Sequence, residues 1–223
     1  MNIKIPLEWL KKGIKIRMRP KAKADSEPGF DAQEELRRQL SEKPSPALRA
    51  SITDADPFVR AISAEVLGRM KDGSALDALI RALKDPSRYV REKAVLSLGY
   101  LGDKRAVAAL VELLDDEAET VRIAVTGVLG HLRDRLAVPG LIRALADKNP
   151  VARMKAAVSL GLIGDEQAIL PLYQVLNDDN ESVRKYACDA LVAIGKPAIP
   201  ALLKALKIEP VRAYAAQSLT KIK

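Results

Sequence analysis

Repeated charged residues are the first candidates for chemistry in this chain. Arginine recurs as Arg60, Arg91, Arg122, Arg153, Arg184 and Arg212, and aspartate as Asp54, Asp85, Asp116, Asp147 and Asp178, with a second aspartate series at Asp72, Asp103, Asp134 and Asp165. Guanidinium and carboxylate groups can hold a phosphate, share a proton or bind one another as a charge-assisted pair. Identical placement in successive copies argues for the last, because an active site needs a local and asymmetric constellation. The arginines therefore read as donors to loop carbonyls or to aspartates of adjacent units, and the second aspartate series as helix N-caps. The chain has a single histidine, His131, and a single cysteine, Cys188. No two-histidine metal site, Cys/His pair or Ser/His/Asp triad can be assembled from them, and no Walker-type phosphate loop is present. Cys188 stands in the column of Ala157 and Val95 and reads as a small buried apolar residue. No catalytic residue is assigned, and neither a metal nor a cofactor is expected.

The elements that position these residues follow from one period. Val59-Arg60, Val90-Arg91, Val121-Arg122, Ala152-Arg153 and Val183-Arg184 recur every 31 residues, and Val211-Arg212 begins a last copy 28 residues on. Leu67, Leu98, Leu129, Leu160 and Leu191 keep the same register, as do Gly68, Gly99, Gly130 and Gly161. Fixed-period self-similarity signals a solenoid, in which each unit buries its apolar face only against its neighbours. Within a unit, Val90, Ala94, Leu98 and Leu101 form one helical stripe, Gly102-Asp103 ends that helix and caps the next, and Ala106, Val107, Leu110, Val111 and Leu114 form a second stripe. Gly-x-x-Gly pairs such as Gly99 with Gly102 read as helix-end features. Pro139 and Pro200 fall in first turns, and Pro46 shares their column, so the array begins before its first clean repeat. The expectation is an all-α, right-handed α-solenoid of stacked antiparallel helix pairs with thirteen helices. It occupies residues 29–223 as a single unit, with a degenerate opening pair at 31–52, repeats to 206 and a closing half-repeat at 207–223. Val192 and Lys196 replace the repeat Gly and Asp in the fifth unit, so its corner is expected to be built differently.

The pattern V-R-x-x-A-x-x-x-L-G-x-x-G-D-x-x-A-V, seen in full from Val90 to Val107, resembles the short HEAT-like repeat shared by phycobilisome lyase-related proteins and many small prokaryotic HEAT proteins. The resemblance covers residues 31–223. It implies that the Val-Arg helix of each unit lines the concave side, and it carries over no catalytic residue from the bilin lyases. Deoxyhypusine hydroxylase, a HEAT-like iron enzyme, is similar in fold, but its repeated His-Glu pairs are absent.

With the inward stripes fixed, the residues left facing the groove are those the repeat does not dictate. The candidate partner-binding residues are Phe58, Ile62, Arg69, Tyr89, Lys93, Leu96, Tyr100, His131, Lys155, Val158, Leu162, Tyr186, Asp189 and Tyr214. Five of the six aromatics in the repeats lie in this set, Tyr173 being the exception. The groove is formally balanced, with Arg69, Arg88, Lys93, Lys155, Lys185 and Lys221 set against Glu65, Glu92, Glu119, Glu181, Asp189 and Glu209. A nucleic-acid groove would carry a clear basic excess; aromatic, Met and aliphatic residues suit a protein or peptide better.

The net charge of +8 is concentrated at the N-terminus. Residues 1–28 read as a basic leader, and within 1–23 eight basic residues face Glu8 alone. Trp9, Lys11, Lys12, Lys15, Arg17 and Arg19 are its candidate contacts. Four roles suit it: a solvated or folded-back tail, strand addition to a partner, attachment to an anionic membrane surface, or nonspecific nucleic-acid phosphate contact. No apolar run approaches a membrane span and no secretory signal is evident, which points to a cytoplasmic protein. The function expected is a non-catalytic protein- or peptide-binding scaffold, adaptor or assembly factor using the concave face. Two alternatives stand beside it: a bilin-lyase-like accessory subunit or chaperone acting on a cofactor-bearing protein, and nucleic-acid or anionic-surface binding through the leader.

Overall fold

The computed structural model describes residues 30–222; the leader positions Trp9, Lys11, Lys12, Lys15, Arg17 and Arg19 lie outside the described residues. These 193 positions form thirteen α-helices and no strand. Long helices α1 (Phe30–Ser41), α3 (Pro57–Arg69), α5 (Arg88–Leu101), α7 (Glu119–Leu132), α9 (Pro150–Ile163) and α11 (Glu181–Ile194) alternate with short ones. The short helices are α2 (Ser45–Ala50), α4 (Leu76–Ala82), α6 (Val107–Glu112), α8 (Val138–Ala144), α10 (Ile169–Gln174) and α12 (Ile199–Ala205), and α13 (Arg212–Lys221) closes the array. The fold is an all-α repeat solenoid, with the expected helix count.

Each helix pair buries its stripes against its own partner and its neighbours. Val90, Ala94 and Leu98 are fully buried on α5, and so are Ala106, Val107 and Leu110 on α6 and the turn before it. Leu67, Leu98, Leu129, Leu160 and Leu191 are all completely buried, so the leucine column forms the spine of one continuous core. Cys188 belongs to that core, with 1% exposure.

The long helices form one tightly packed layer, whereas successive short helices touch far less. The glycine column explains the difference. A methyl group on Gly161 would sit 2.8 Å from Ala190 Cα, and one on Gly68 or Gly130 would overlap Ser97 or Ser159 of the next long helix. Ser97 and Ser159 are buried, and each donates its hydroxyl across the seam, to the Ala64 and Thr126 carbonyls at 2.8 Å. Gly99 belongs to this series, since a methyl there would meet Val128 Cγ2 at 2.9 Å. It is a packing residue and not the helix-end feature expected of it, because it lies inside α5 while Gly102 makes the left-handed turn that ends the helix, at φ 69°.

The repeated charges are structural. Arg60, Arg91, Arg122 and Arg153 reach forward into the next loop, where each forms a two-pronged pair with Asp85, Asp116, Asp147 and Asp178, the Nε–Oδ2 distances being 2.7, 2.8, 2.7 and 2.8 Å. Each guanidinium also donates through Nη1 to carbonyls of its own preceding loop, as Arg122 does to Asp116 at 2.9 Å. The aspartates complete the corner by accepting a backbone N–H two residues on. Burial pushes the Asp147 and Asp178 carboxyls up, but the paired arginine and the accepted N–H outweigh it and hold both below their ordinary value. Arg184 departs from the pattern. It keeps its carbonyl bonds to Asp178 and Asp179, but its Nε is buried without an acceptor, because Glu209 in the aspartate column pairs with Arg212 instead.

Asp72, Asp103, Asp134 and Asp165 cap the turns that lead into the short helices, each accepting from the N–H two residues later. The fifth corner has no such side-chain cap: Gly195 adopts φ 91° with ψ −146°, unlike Gly102 and Gly164. Two other corners place a side-chain-bearing residue in the left-handed region, Lys71 at φ 52° and Arg133 at φ 49°. Such residues are strained there, whereas glycine is not. Arg133→Gly is therefore expected to raise the unfolding free energy by up to about 1 kcal/mol, visible as a higher melting temperature.

Candidate functional site

The long-helix layer presents one face that the stack does not cover. The sequence-derived candidates on it divide by depth. Tyr100, Tyr186 and Leu162 are 52%, 39% and 36% exposed, and Arg69 and His131 are exposed with them. Phe58, Tyr89, Lys93, Leu96, Lys155, Val158, Asp189 and Tyr214 are half-buried. Ile62 is a correction: it is 4% exposed and belongs to the core. A short branched side chain in that column stays within the contact between neighbouring long helices, whereas Lys93, Lys155 and Tyr186 in the equivalent positions are long enough to reach past it.

Glu65, counted from the sequence as an open groove charge, is likewise buried, at 5%. Three cations converge on its carboxylate: Arg37 Nε at 3.0 Å, Arg69 Nη2 at 2.7 Å and Lys93 Nζ at 2.8 Å. Burial raises the carboxyl pKa, and Lys93 and Arg37 outweigh it, so the group stays ionised below its ordinary value. Arg37 lies on α1, in the degenerate opening pair, where no repeat column marks it. One carboxylate thus ties α1, α3 and α5 together and engages the cations of this part of the face.

Aromatic packing adds a second tie. The Phe58 and Tyr89 rings lie 6.1 Å apart at 32°, and the Arg88 guanidinium sits 4.9 Å from the Tyr89 centroid while donating to its hydroxyl at 3.1 Å. Tyr89 is therefore part of the scaffold as well as of the surface. At the other end, the Tyr214 hydroxyl donates to Glu181 at 2.9 Å and Lys221 Nζ lies 3.8 Å from Asp189.

Between these ends the face is apolar. On α9, Val151 in the first turn is 42% exposed and Leu162 in the last turn 36%, with Met154 and Val158 between them half-buried, as is Ile123 on α7. The short-helix side also shows Leu136, Leu170 and Leu203, but without accompanying exposed aromatics. An open cleft of about 410 Å³ between α1 and α3 is walled by Glu34, Arg37, Arg38 and Arg69 and floored by Val66 and Met70. Among the described residues no group of three or more His, Cys, Asp or Glu side chains could hold a metal ion. Burial pushes the Cys188 thiol up to about 11, with Asp189 adding to the effect. At pH 8 it is expected to resist iodoacetamide in the folded protein and to react within minutes once unfolded in urea, a difference that mass spectrometry of the alkylated chain reads directly.

The HEAT repeat model matches residues 34–130, 112–180 and 169–223, which together take in nearly all of the described stack. The chain belongs to the HEAT repeat family. No curated protein matches the sequence. Among solved structures, this HEAT array is similar to the complex of CpcE and CpcF of phycocyanin lyase from Nostoc sp. PCC7120, at 26% identity and TM-score 0.62 over 77% of this chain and 75% of that one. A designed armadillo repeat protein in complex with the peptide (KR)4 matches at 21% identity and TM-score 0.61, over 81% of this chain and all of that one. Computationally designed armadillo repeat proteins for modular peptide recognition match at 21% identity and TM-score 0.58, with the same coverage. The chain is a helical repeat scaffold, and no helix among the described residues is long and apolar enough to cross a membrane.

Proposed function

We propose that the chain is a non-catalytic adaptor or assembly scaffold that holds a protein or peptide segment on its long-helix face. The observation that carries this is the exposure of Tyr100, Val151, Leu162 and Tyr186 on α5, α9 and α11, all on one face. Large apolar and aromatic side chains left open on a rigid layer are the composition of an interface core. The close glycine-mediated approach of successive long helices shortens that side of the stack, which supports its being the concave one.

Tyr89 packs at a tilt against Phe58 and against the core, so truncating it costs stability as well as binding. Tyr100→Ala with Tyr186→Ala removes only exposed rings. Peptides selected from a display library on the purified chain are expected to bind this double variant at least thirtyfold more weakly, since a hot-spot side chain is worth about 2 kcal/mol or more. Its melting temperature should stay within a degree or two. Arg81→Ala with Glu112→Ala, on exposed positions of α4 and α6, should change neither. Equal binding by the Tyr100/Tyr186 variant would overturn the reading.

The likeness to the phycocyanin lyase complex supports a second reading, an accessory subunit acting on a cofactor-bearing protein. Purification from the native cell with a bound chromophore, visible as absorbance above 300 nm, would favour it over a general peptide scaffold.

A further inference from the structure

Lys155 stands out among the charges of the long-helix face. It is half-buried on α9, which also carries the half-buried Met154 and Val158, and forms no hydrogen bond or ion pair with any described residue. Lys93, its counterpart on α5, is held by Glu65 at 2.8 Å. An ammonium group drawn partly out of water gains from an anionic partner, and here the stack supplies none.

Gly127 is the second, independent observation. It lies inside α7, where glycine weakens a helix relative to alanine. Gly68, Gly130 and Gly161 are required by the next helix, but a methyl group on Gly127 would meet only Lys155 Nζ, at 3.6 Å. The equivalent positions on α5, α9 and α11 are Leu96, Val158 and Asp189. Gly127 thus leaves a notch between side-chain-bearing neighbours, with the free ammonium of Lys155 beside it.

The neighbouring long helices carry further charged and polar groups. Lys185 on α11 is exposed and also unpaired among the described residues, and His131 is exposed at the end of α7. On α11, Asp189 lies 3.8 Å from Lys221 Nζ, and Glu181 accepts the Tyr214 hydroxyl at 2.9 Å. Glu119 remains free, in the first turn of α7, two helical turns from Gly127.

We propose that this part of the face selects an acidic, apolar-flanked peptide segment, one carboxylate of which enters the Gly127 notch and pairs with Lys155. The proposal rests on the reading of the long-helix face as a docking surface and names the chemistry of its occupant. Flanking aliphatic or aromatic side chains meet Val158, Leu162 and Tyr186, and the charge pair fixes the register.

A random peptide display library panned on the full chain tests this. The wild type should enrich Asp or Glu at one fixed position. The leading synthetic peptide should bind Lys155→Met at least tenfold more weakly, and a library panned on Lys155→Glu should enrich Lys or Arg at that position instead. Gly127→Ala should melt higher and yet bind the peptide at least fivefold more weakly, an opposition of signs that a purely structural glycine would not give. Peptides that need Tyr100 and Tyr186 but show no acidic preference, or that bind Lys155→Met as well as wild type, overturn this inference and leave the docking face standing. Failure to select any peptide that depends on Tyr100 and Tyr186 overturns both.

Discussion

Arg122→Ala is expected to lower the unfolding free energy by about 3–5 kcal/mol, the range for removing one member of a buried ion pair. The Arg122 and Asp147 side chains are only 7% and 8% exposed, and the guanidinium closes two bonds to the carboxylate, at 2.7 and 3.2 Å. Truncation leaves Asp147 as a buried charge with nothing opposite it, and also frees the Asp116 carbonyl. Arg184→Ala makes the internal comparison. Arg184 holds the same kind of loop carbonyls but has no carboxylate partner, so its loss should cost about 1–2 kcal/mol. Urea denaturation followed by far-UV circular dichroism reads both. Equal losses at the two sites would show that the carbonyl bonds, and not the aspartate, carry the stabilisation.

Leu129→Ala is expected to cost about 2–5 kcal/mol, because the side chain is completely buried in the middle of the stack and its removal opens a cavity that neighbouring helices cannot collapse into. The same change at Leu219, half-buried on α13 with a neighbouring long helix on one side only, should cost about half as much or less. A central unit has interfaces on both flanks. Matching midpoint shifts in the two variants would contradict nearest-neighbour coupling.

The repeat columns made most of the scaffold legible, since a residue type recurring in register must be solving the same local problem each time. The leucine spine, the aspartate caps and the arginine pairs were all readable on that ground, and so was the altered corner at Val192 and Lys196. Depth on the open face was harder to read. A rotation of about 100° per residue gives the direction in which a side chain leaves its helix, but not whether a neighbour closes over it. Ile62 and Glu65 were placed on the surface for this reason and are buried. Arg37 went unseen because the opening pair has lost the columns that would have aligned it with later units. The two classes of glycine differ in their columns as well: Gly130 recurs as glycine and must be small, whereas Gly127 stands where other units carry Leu96, Val158 and Asp189 and need not be.

The four column arginine–aspartate pairs run in one direction, from α3, α5, α7 and α9 to a loop 25 residues later. A chain emerging from the ribosome N-terminus first therefore presents each of these four arginines before its counter-ion. A unit acquires its full set of bonds only when the loop of its successor has been synthesised, so the stack matures one step behind translation. At each moment the youngest finished long helix carries an arginine whose Nε has no carboxylate, and Arg184 retains that state in the completed array.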